Sequence, residues 1–455
     1  MLLNTDSYKY SHFLQYPPGT EYISSYIEAR GGRYKDLVFF GLQIYLKEYL
    51  SKPFTKYDIE EAKDIVLAHG LPFNTEGFAH ILDKHGGYFP VEIEAVAEGS
   101  IVPIQNVLVQ IQNTDTLCAW VTSYLETSLL RAVWYPSTVA TLSWHAKKII
   151  KQYLDKTSDN PQTLSYKLHD FGARGASSLE TAGIGGAAHL VNFTSTDTVA
   201  GLVCARKYYN EKMAGFSAPA AEHSTITSWG KDGEVAAYRN MLTQFAGKDK
   251  ILAVVTDSYN IWHALEHIWG GELKEQVVNC GGTIVIRPDS GDPIFVVTQV
   301  IAMLIAKFGY SVNSKGYKLL PPYIRVIQGD GISLVTINAI LEAMEQKKYS
   351  AENVTFGMGG GLLQKVSRDT MEFAMKASSI CISGEWRDVY KDPVTDSRKK
   401  SKKGHLALIK KPKIGYKTIR KDELHAQENL LLPVFKDGKL LREWSFAEVR
   451  EKTGL

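Results

Sequence analysis

From Tyr166 onward, short apolar runs alternate with stretches whose apolar residues fall at helical spacing. LSYKLHDFG reads as a strand and turn. AAHLVNF reads as a second strand, followed by TSTDT and a helix over Val199–Tyr209. ILAVVTDSY leads into a helix at Ile261–Trp269, and TIVIRPDSGDP into one over Phe295–Phe308. YIRVIQGDG is followed by Ser333, a good N-cap, and a helix to about Gln346. ENVTFGMGGG precedes a helix near Leu362–Lys376. Repeated strand–turn–helix units predict an α/β fold with a parallel sheet, most simply a (β/α) barrel, with a doubly wound open sheet as the alternative.

The flanks follow a different rhythm. Between Tyr88 and Asn113, FPVEIEAV, IVPI and VLVQIQN read as antiparallel strands. From Thr116 to Leu154 the spacing is helical, with a break expected at Pro136. After about Cys381 come strand-like pieces, LALIKK and LLPVFKDGKLL, and a helix at Phe446–Lys452. The expected organisation is a flanking α+β domain of residues 1–163 plus 381–455 around a barrel domain of residues 164–380.

The polar residues at the strand ends carry the candidate chemistry. Asp257 ends VVTD, Arg287 and Asp289 flank Pro288, Asp330 sits between Gly329 and Gly331, and Gly359, Gly360 and Gly361 close FGMGGG. Acids, arginine and glycines where parallel strands end suit a phosphorylated sugar. Arg287 offers a donor fork or a plane to stack on a ring, and the alternative for the Arg287–Asp289 pair is an ion pair closing a turn. In HDFGAR, Phe171 lies between His169, Asp170, Gly172 and Arg174, a setting that suits a flat heteroaromatic ligand. Glu222 and His223 sit in a loop before a helical stretch, where His223 is a candidate acid, base or phosphoryl acceptor.

Composition narrows the partners. A net charge of +3 over 455 residues gives no global field for nucleic acid. Cys118, Cys204, Cys280 and Cys381 form no CxxC pair, and no HxH or HExxH spacing announces a protein-bound metal. IFVVTQVIAMLIA is too short to span a bilayer, and MLLNTDSYKYSH lacks the features of a signal peptide, so a cytoplasmic protein is expected. The basic run KDPVTDSRKKSKKGH, from Lys391 to His405, reads as a solvated loop or an anion-binding flap.

Taken in order, TDSYKYSH, KLHDFGARG, TAGIGGAAHLVNFTSTDTVAG, PAAEHSTITSWG, TDSYNIW, IRPDSG, NSKGYKLLPPYIRVIQGDG, FGMGGGLLQKVSRD and KDPVTDSRKKSKKG resemble the nicotinamide phosphoribosyltransferases over nearly the whole chain. The resemblance implies an irregular (β/α) barrel of the type II phosphoribosyltransferases with a flanking β-rich domain, in a homodimer with shared sites. It implies transfer of phosphoribosyl from phosphoribosyl pyrophosphate to nicotinamide, giving nicotinamide mononucleotide and pyrophosphate, with Mg²⁺ held mainly by substrate phosphates. It also implies ATP as a coupled co-substrate that phosphorylates His223.

By motif, Phe171 and the partner copy's Tyr8 resemble the residues that sandwich the nicotinamide ring, with Arg287 at its edge and Asp197 accepting the carboxamide N–H. An acid there would repel nicotinate. Arg174, Asp257, Asp289, Gly329, Asp330, Gly359, Gly360 and Arg368 match the ribose and phosphate site; Arg30, Lys376, Lys391 and Lys399 match the pyrophosphate and ATP positions. Asp257, Asp289, Arg287 and His223 are the expected catalytic group. Ala173 and Ala374 stand where better-known animal members carry Tyr and Ser, and GGRYKD after Arg30 is shorter than theirs.

Overall fold

The computed structural model describes residues 1–395, 399–412 and 415–454; Asp396, Ser397 and Arg398 of the basic run lie outside them. The chain divides into two compact units. One comprises Met1–Thr141, Lys207–Glu211 and Val366–Gly454, the other Leu142–Arg206 and Lys212–Lys365.

The second unit is built on a parallel sheet. Its strands run in the spatial order Ser195–Thr196, Leu168–Asp170, Val354–Met358, Ile324–Gln328, Thr283–Arg287 and Ile251–Val255. Strands buried on both faces carry the continuous apolar runs seen in the sequence. The segment 216–220 bridges both edges, pairing in parallel fashion through Phe216 with Ser195 and through Ala220 with Ala253. The sheet therefore closes through an irregular stave, giving the expected irregular barrel and not an open doubly wound sheet. The helix Pro293–Phe308 begins with Pro293 after the N-cap Asp292, whose carboxylate accepts from Phe295 N at 2.8 Å. The helix Leu334–Gln346 starts at a capping box of Ser333 and Thr336.

Two local expectations are overturned here. AAHLVNF is largely helix: Leu179–Leu190 is helical, with Ser178 as N-cap, and the strand shrinks to Ser195–Thr196. The glycines of GIGGAA serve packing. A Cβ on Gly186 would lie 3.0 Å from Gly201 Cα, so two helix backbones meet where only glycine fits. After FGMGGG, the helix is a single turn, Gly360–Leu363, and the later residues form the strand Phe373–Ile382.

That strand belongs to the first unit. It pairs antiparallel along Thr20–Ala29, in a seven-stranded sheet ordered Glu385–Asp388, Phe373–Ile382, Thr20–Ala29, Val107–Asn113, Val91–Ala95, Leu432–Lys436 and Lys439–Leu440. Ile27 lies between Met375 and Val109 in this register. The seams accordingly fall after Thr141 and Lys365, where the sequence suggested residues 163 and 380, and Lys207–Glu211 joins the first unit.

Pro136 does not break its helix, which runs unbroken over Glu126–Thr157. The proline leaves the Ala132 carbonyl without its usual donor, and Gly41 packs at that turn; a Cβ there would sit 2.3 Å from Pro136 Cγ and 3.3 Å from Ala132 O. Ser137 Oγ accepts from Phe40 N at 3.1 Å, tying the helix to the neighbouring chain segment. Cys118, Cys204 and Cys381 are buried, Cys280 is partly exposed, and none of the four is in a disulfide. Among the described residues no helix is long and apolar enough to cross a membrane.

Candidate active site

The C-terminal ends of the barrel strands gather most of the predicted residues of the second unit. Asp170 ends its strand fully buried, and its Oδ1 accepts from Gly172 N at 2.7 Å. Burial raises its pKa, opposed by the hydrogen bonds from Gly172 N and Thr198. This acid pins the turn that carries Phe171, whose N–H donates to Met358 O at 3.0 Å. The Phe171 ring lies against Gly357, where a Cβ would fall 2.1 Å from Cε2. The Arg287 guanidinium lies over the same ring, 5.6 Å from its centroid, and the His169 ring is 4.7 Å away.

Asp197 flanks this slot. His169 Nε2 lies 2.8 Å from its Oδ1, and Ser217 Oγ donates to the same oxygen. Burial pushes the Asp197 pKa up, but His169, Ser217 and the charge of Arg287 outweigh it, leaving the carboxyl below its usual range. The acid is thus held ionised at the edge of an aromatic platform.

The opposite wall is a network of acids. Arg287 Nη2 donates to Asp289 Oδ2 at 2.8 Å, and Nη1 reaches Ala221 O at 3.5 Å. The ion pair foreseen as the alternative is formed, yet Arg287 Nε is buried with no hydrogen-bond partner, a donor left for something else. The Asp257 side chain is 6% exposed; its Oδ1 lies 3.0 Å from His223 Nε2, and its Oδ2 accepts from Asp289 N at 3.1 Å and from Ser290 Oγ. Burial opposes ionisation of Asp257, but the bonds from Ser290, His223 and Asp289 N lower its pKa overall. Three of roughly four acceptor positions on this carboxylate are therefore used internally. His223 is half-exposed and begins the helix His223–Thr227, where a loop was expected; its Nδ1 lies 4.0 Å from Asp289 Oδ2.

The glycine-rich turns complete the rim. Gly329 abuts both Phe171 and Asp289, since a Cβ there would meet Asp289 Oδ1 at 3.4 Å and Phe171 Cε2 at 3.5 Å. Asp330 is exposed, and its carbonyl accepts from Gln328 Nε2 at 2.9 Å. Gly360 packs against Gly175, where a Cβ would be 2.9 Å from Gly360 Cα, and Arg174 is exposed on the short turn Ala173–Gly175. Only one helical turn, Gly360–Leu363, follows Gly359, so the helix dipole at this rim is small.

A model of the nicotinate phosphoribosyltransferase family matches residues 166–438, and a model of the nicotinamide phosphoribosyltransferase N-terminal domain matches residues 1–93. The chain belongs to the nicotinate phosphoribosyltransferase family. Among relatives in it, the nicotinamide phosphoribosyltransferase of Xanthomonas campestris is 54% identical over 456 residues, covering 99% of this chain and 97% of its own. That of Acinetobacter baylyi is 30% identical over 485 residues, covering 98% and 95%. In fold, the chain resembles the nicotinate-nucleotide pyrophosphorylase of Pyrococcus furiosus, with a TM-score of 0.65 at 15% identity over 99% of this chain and 93% of that one. It also resembles human nicotinic acid phosphoribosyltransferase, with a TM-score of 0.57 at 16% identity and the same coverages.

The remaining predicted residues of this family member lie in the first unit. Tyr8 is 55% exposed at the start of the turn Ser7–Leu14. With Lys9, His12, Glu126 and Lys376 it lines a cavity of about 370 Å³. Lys9 pairs with Glu126, and Lys376 Nζ donates to Met375 O at 2.7 Å. Burial lowers the Lys376 pKa, and the nearby charges of Arg30 and Lys9 push the same way against Glu126. Arg30 donates from Nε to the buried Glu28 at 3.0 Å and leaves a buried Nη2 without a partner. Arg368 is exposed and pairs with Asp369 at 3.0 Å. Lys391 and Lys399 are exposed; Lys391 N donates to Ser401 Oγ at 2.8 Å, so the loop has a tied neck.

Sequence reasoning gave no role to Gly357, Ser217 or Ser290, and named His169 without one. Only Gly357 carried a local signal, a glycine inside an apolar strand, which marks close approach of another group.

Proposed function

We propose that this phosphoribosyltransferase joins nicotinamide to the phosphoribosyl group of phosphoribosyl pyrophosphate, releasing nicotinamide mononucleotide and pyrophosphate in NAD salvage. The observation that carries this reading is the slot of Phe171, Arg287 and Asp197. A flat ring fits against Phe171, and an ionised Asp197, oriented by His169 and Ser217, accepts a carboxamide N–H. A carboxylate in the same place would face like charge, which favours the amide over nicotinate. The names of the nicotinamide phosphoribosyltransferases at 54% and 30% identity agree with it.

In the proposed reaction the pyridine nitrogen attacks the anomeric carbon while the bond to pyrophosphate breaks, and the leaving group keeps the electron pair. The pyridine nitrogen carries no proton, so no general base is needed. Asp289 stabilises the positive charge developing on the sugar, and the unpartnered Nε of Arg287 donates at the ring edge. Gly329, Asp330, Gly359, Gly360 and Arg174 receive ribose and phosphate. Asp257, with its oxygens already used, acts by positioning His223 and Asp289.

The acids do not form a closed cage, which suits Mg²⁺ held chiefly by substrate phosphates with Asp289 and Asp330 at its edge. When bound, the ion would neutralise charge on the departing pyrophosphate. A second copy of the chain supplies the exposed Tyr8 to the other ring face, and Arg30, Lys376, Lys391 and Lys399 to the phosphates. ATP stimulates the reaction through His223. With its Nε2 proton directed at Asp257, the Nδ1 lone pair attacks the γ-phosphorus and ADP leaves.

The test is to incubate the protein with phosphoribosyl pyrophosphate and Mg²⁺, adding nicotinamide or nicotinate, with and without ATP, and to quantify mononucleotide. Product from nicotinamide in excess over nicotinate is expected. Absence of product from nicotinamide rejects the proposal.

A further inference from the structure

A second constellation lies within the first unit, built from the helix Thr75–His85 and the turn after the strand Val107–Asn113. Asn74 caps the helix by accepting from Gly77 N at 2.9 Å, and Gly86, at φ 62°, ends it in the left-handed region. His85 is the last helical residue, which lets its ring turn toward that of His80; the centroids are 5.9 Å apart at 67°. Asp115 N-caps the turn Thr116–Cys118, its Oδ1 accepting from Leu117 N at 2.9 Å. That leaves Oδ2 for other partners. The fully buried Asn113 fixes the turn by donating from Nδ2 to Asp115 O and Glu21 O, both at 2.8 Å.

Asp115 Oδ2 lies 2.7 Å from the Nε2 of both His80 and His85. The three ligand atoms fall within 4.8 Å of one another, and their side chains are 22%, 23% and 19% exposed. They are sheltered by protein but reachable by an ion and by water.

We propose that His80, His85 and Asp115 form a binding site for a divalent transition metal of the zinc class, with water completing the coordination. Two imidazoles and one carboxylate suit zinc and its late first-row neighbours, whereas Mg²⁺ prefers oxygen ligands alone. Tetrahedral bonds of about 2.0–2.2 Å place ligand atoms roughly 3.3 Å apart, so the two 2.7 Å contacts open by only ~0.6 Å to admit the ion. Side-chain torsions supply that movement. Neutral rings coordinate through Nε2 by carrying their proton on Nδ1. The ion joins a helix to the turn after a central strand, with 35 and 30 residues between the ligands in sequence, making the stability of this unit metal-dependent.

The full chain, stripped by chelator, is titrated with Co²⁺ and followed by the visible absorption of the tetrahedral ion, then competed with Zn²⁺ and assayed by equilibrium dialysis. One equivalent per chain is expected, with a rise in the thermal midpoint. His80→Ala and His85→Ala should each weaken binding by at least about tenfold and abolish the thermal shift, while nicotinamide transfer stays at the wild-type level. Asp115→Asn is secondary, because Asp115 also caps a turn. Wild-type binding no tighter than that of the His80→Ala/His85→Ala double variant overturns the proposal, as does one equivalent bound with unchanged affinity in both single variants.

Discussion

Gly357→Ala tests the ring slot without removing any polar group. The added Cβ would lie 2.1, 2.3 and 3.3 Å from Cε2, Cδ2 and Cζ of Phe171. To regain an ordinary contact of 3.4 Å, the ring edge must retreat by about 1.3 Å. That retreat carries the ring off the position over which Arg287 lies at 5.6 Å. An aromatic contact is worth ~0.5–1.5 kcal/mol beyond area, and a misplacement near 1 Å can cost up to ~10²-fold in rate. The expected result is a fall of about tenfold or more in kcat/KM for nicotinamide, with the KM for phosphoribosyl pyrophosphate little changed. Overpacking costs ~1–3 kcal/mol of stability, so the variant should remain folded, as a urea midpoint will show. A double-mutant cycle gives the sharper reading. In a Phe171→Ala background the three closest contacts of the new methyl are gone, and Gly357→Ala should then cost less than ~0.5 kcal/mol in transition-state binding. Additive losses, or a folded Gly357→Ala enzyme with wild-type kinetics, would refute the slot.

Three further outcomes are expected. Asp197→Asn should cut the preference for nicotinamide over nicotinate by about tenfold or more, since the repelling charge is gone; an unchanged preference removes Asp197 from the specificity argument. His223→Ala should abolish ATP stimulation and labelling by γ-phosphate-labelled ATP while leaving basal transfer; retained labelling rules out His223 as acceptor. Lys167 is buried, its Nζ donating to Glu352 O at 2.8 Å and Val354 O at 2.9 Å; burial, aided by Arg325, lowers its pKa to about 7. A folded value below the unfolded one means the unfolded chain binds the extra proton, so wild-type stability should gain on Lys167→Met by ~1.4 kcal/mol per pH unit from about pH 7 to 10. Parallel stability curves for the two proteins across that range would contradict a neutral buried amine.

The features legible in the sequence were those set by local rules. The helices Val199–Tyr209 and Phe446–Lys452 match their apolar spacing residue for residue, and Ser333 announced its helix through capping chemistry. Asp257, Arg287, Asp289, Asp330 and the glycines were visible because parallel strands deliver their C-terminal ends to one place. The misreadings arose where long-range packing decides. Phe373–Ile382 was assigned to the barrel because a glycine triplet suggested one more strand–helix unit, but its alternating apolar positions are satisfied by pairing with Thr20–Ala29. AAHLVNF reads as a strand from its apolar run alone, but its first four residues end the helix Leu179–Leu190, whose Gly186 lets a second helix touch at Gly201. His169, Asp197 and Ser217 lie 28 and 20 residues apart around Asp197, and His80, His85 and Asp115 span 35, so no spacing rule could have joined either set.

The acids at the barrel mouth raise a charge problem that their hydrogen bonding resolves. On the proposed reading, a pentose carrying a phosphate and a pyrophosphate must approach Asp170, Asp197, Asp257, Asp289 and Asp330. If all five presented bare charge, repulsion would oppose binding. Two of them do not. Asp170 is fully buried and bound to Gly172 N, and Asp257 is engaged by His223, Ser290 and the Asp289 amide. Each of these anchors stands beside a working residue: Asp170 immediately precedes Phe171, and Asp257 holds both His223 and Asp289. Arg287 neutralises part of the Asp289 charge at 2.8 Å, leaving Asp197 to meet the amide and Asp330 to meet the ion that accompanies the phosphates. Removing an anchor should therefore act through geometry. Asp257→Asn takes the negative charge from His223 while keeping a side chain of the same size. Its loss should appear in ATP coupling and in kcat more than in the KM for nicotinamide, since Asp257 touches neither Phe171 nor Asp197. A selective rise in that KM, with ATP coupling intact, would mean that Asp257 meets the substrate directly.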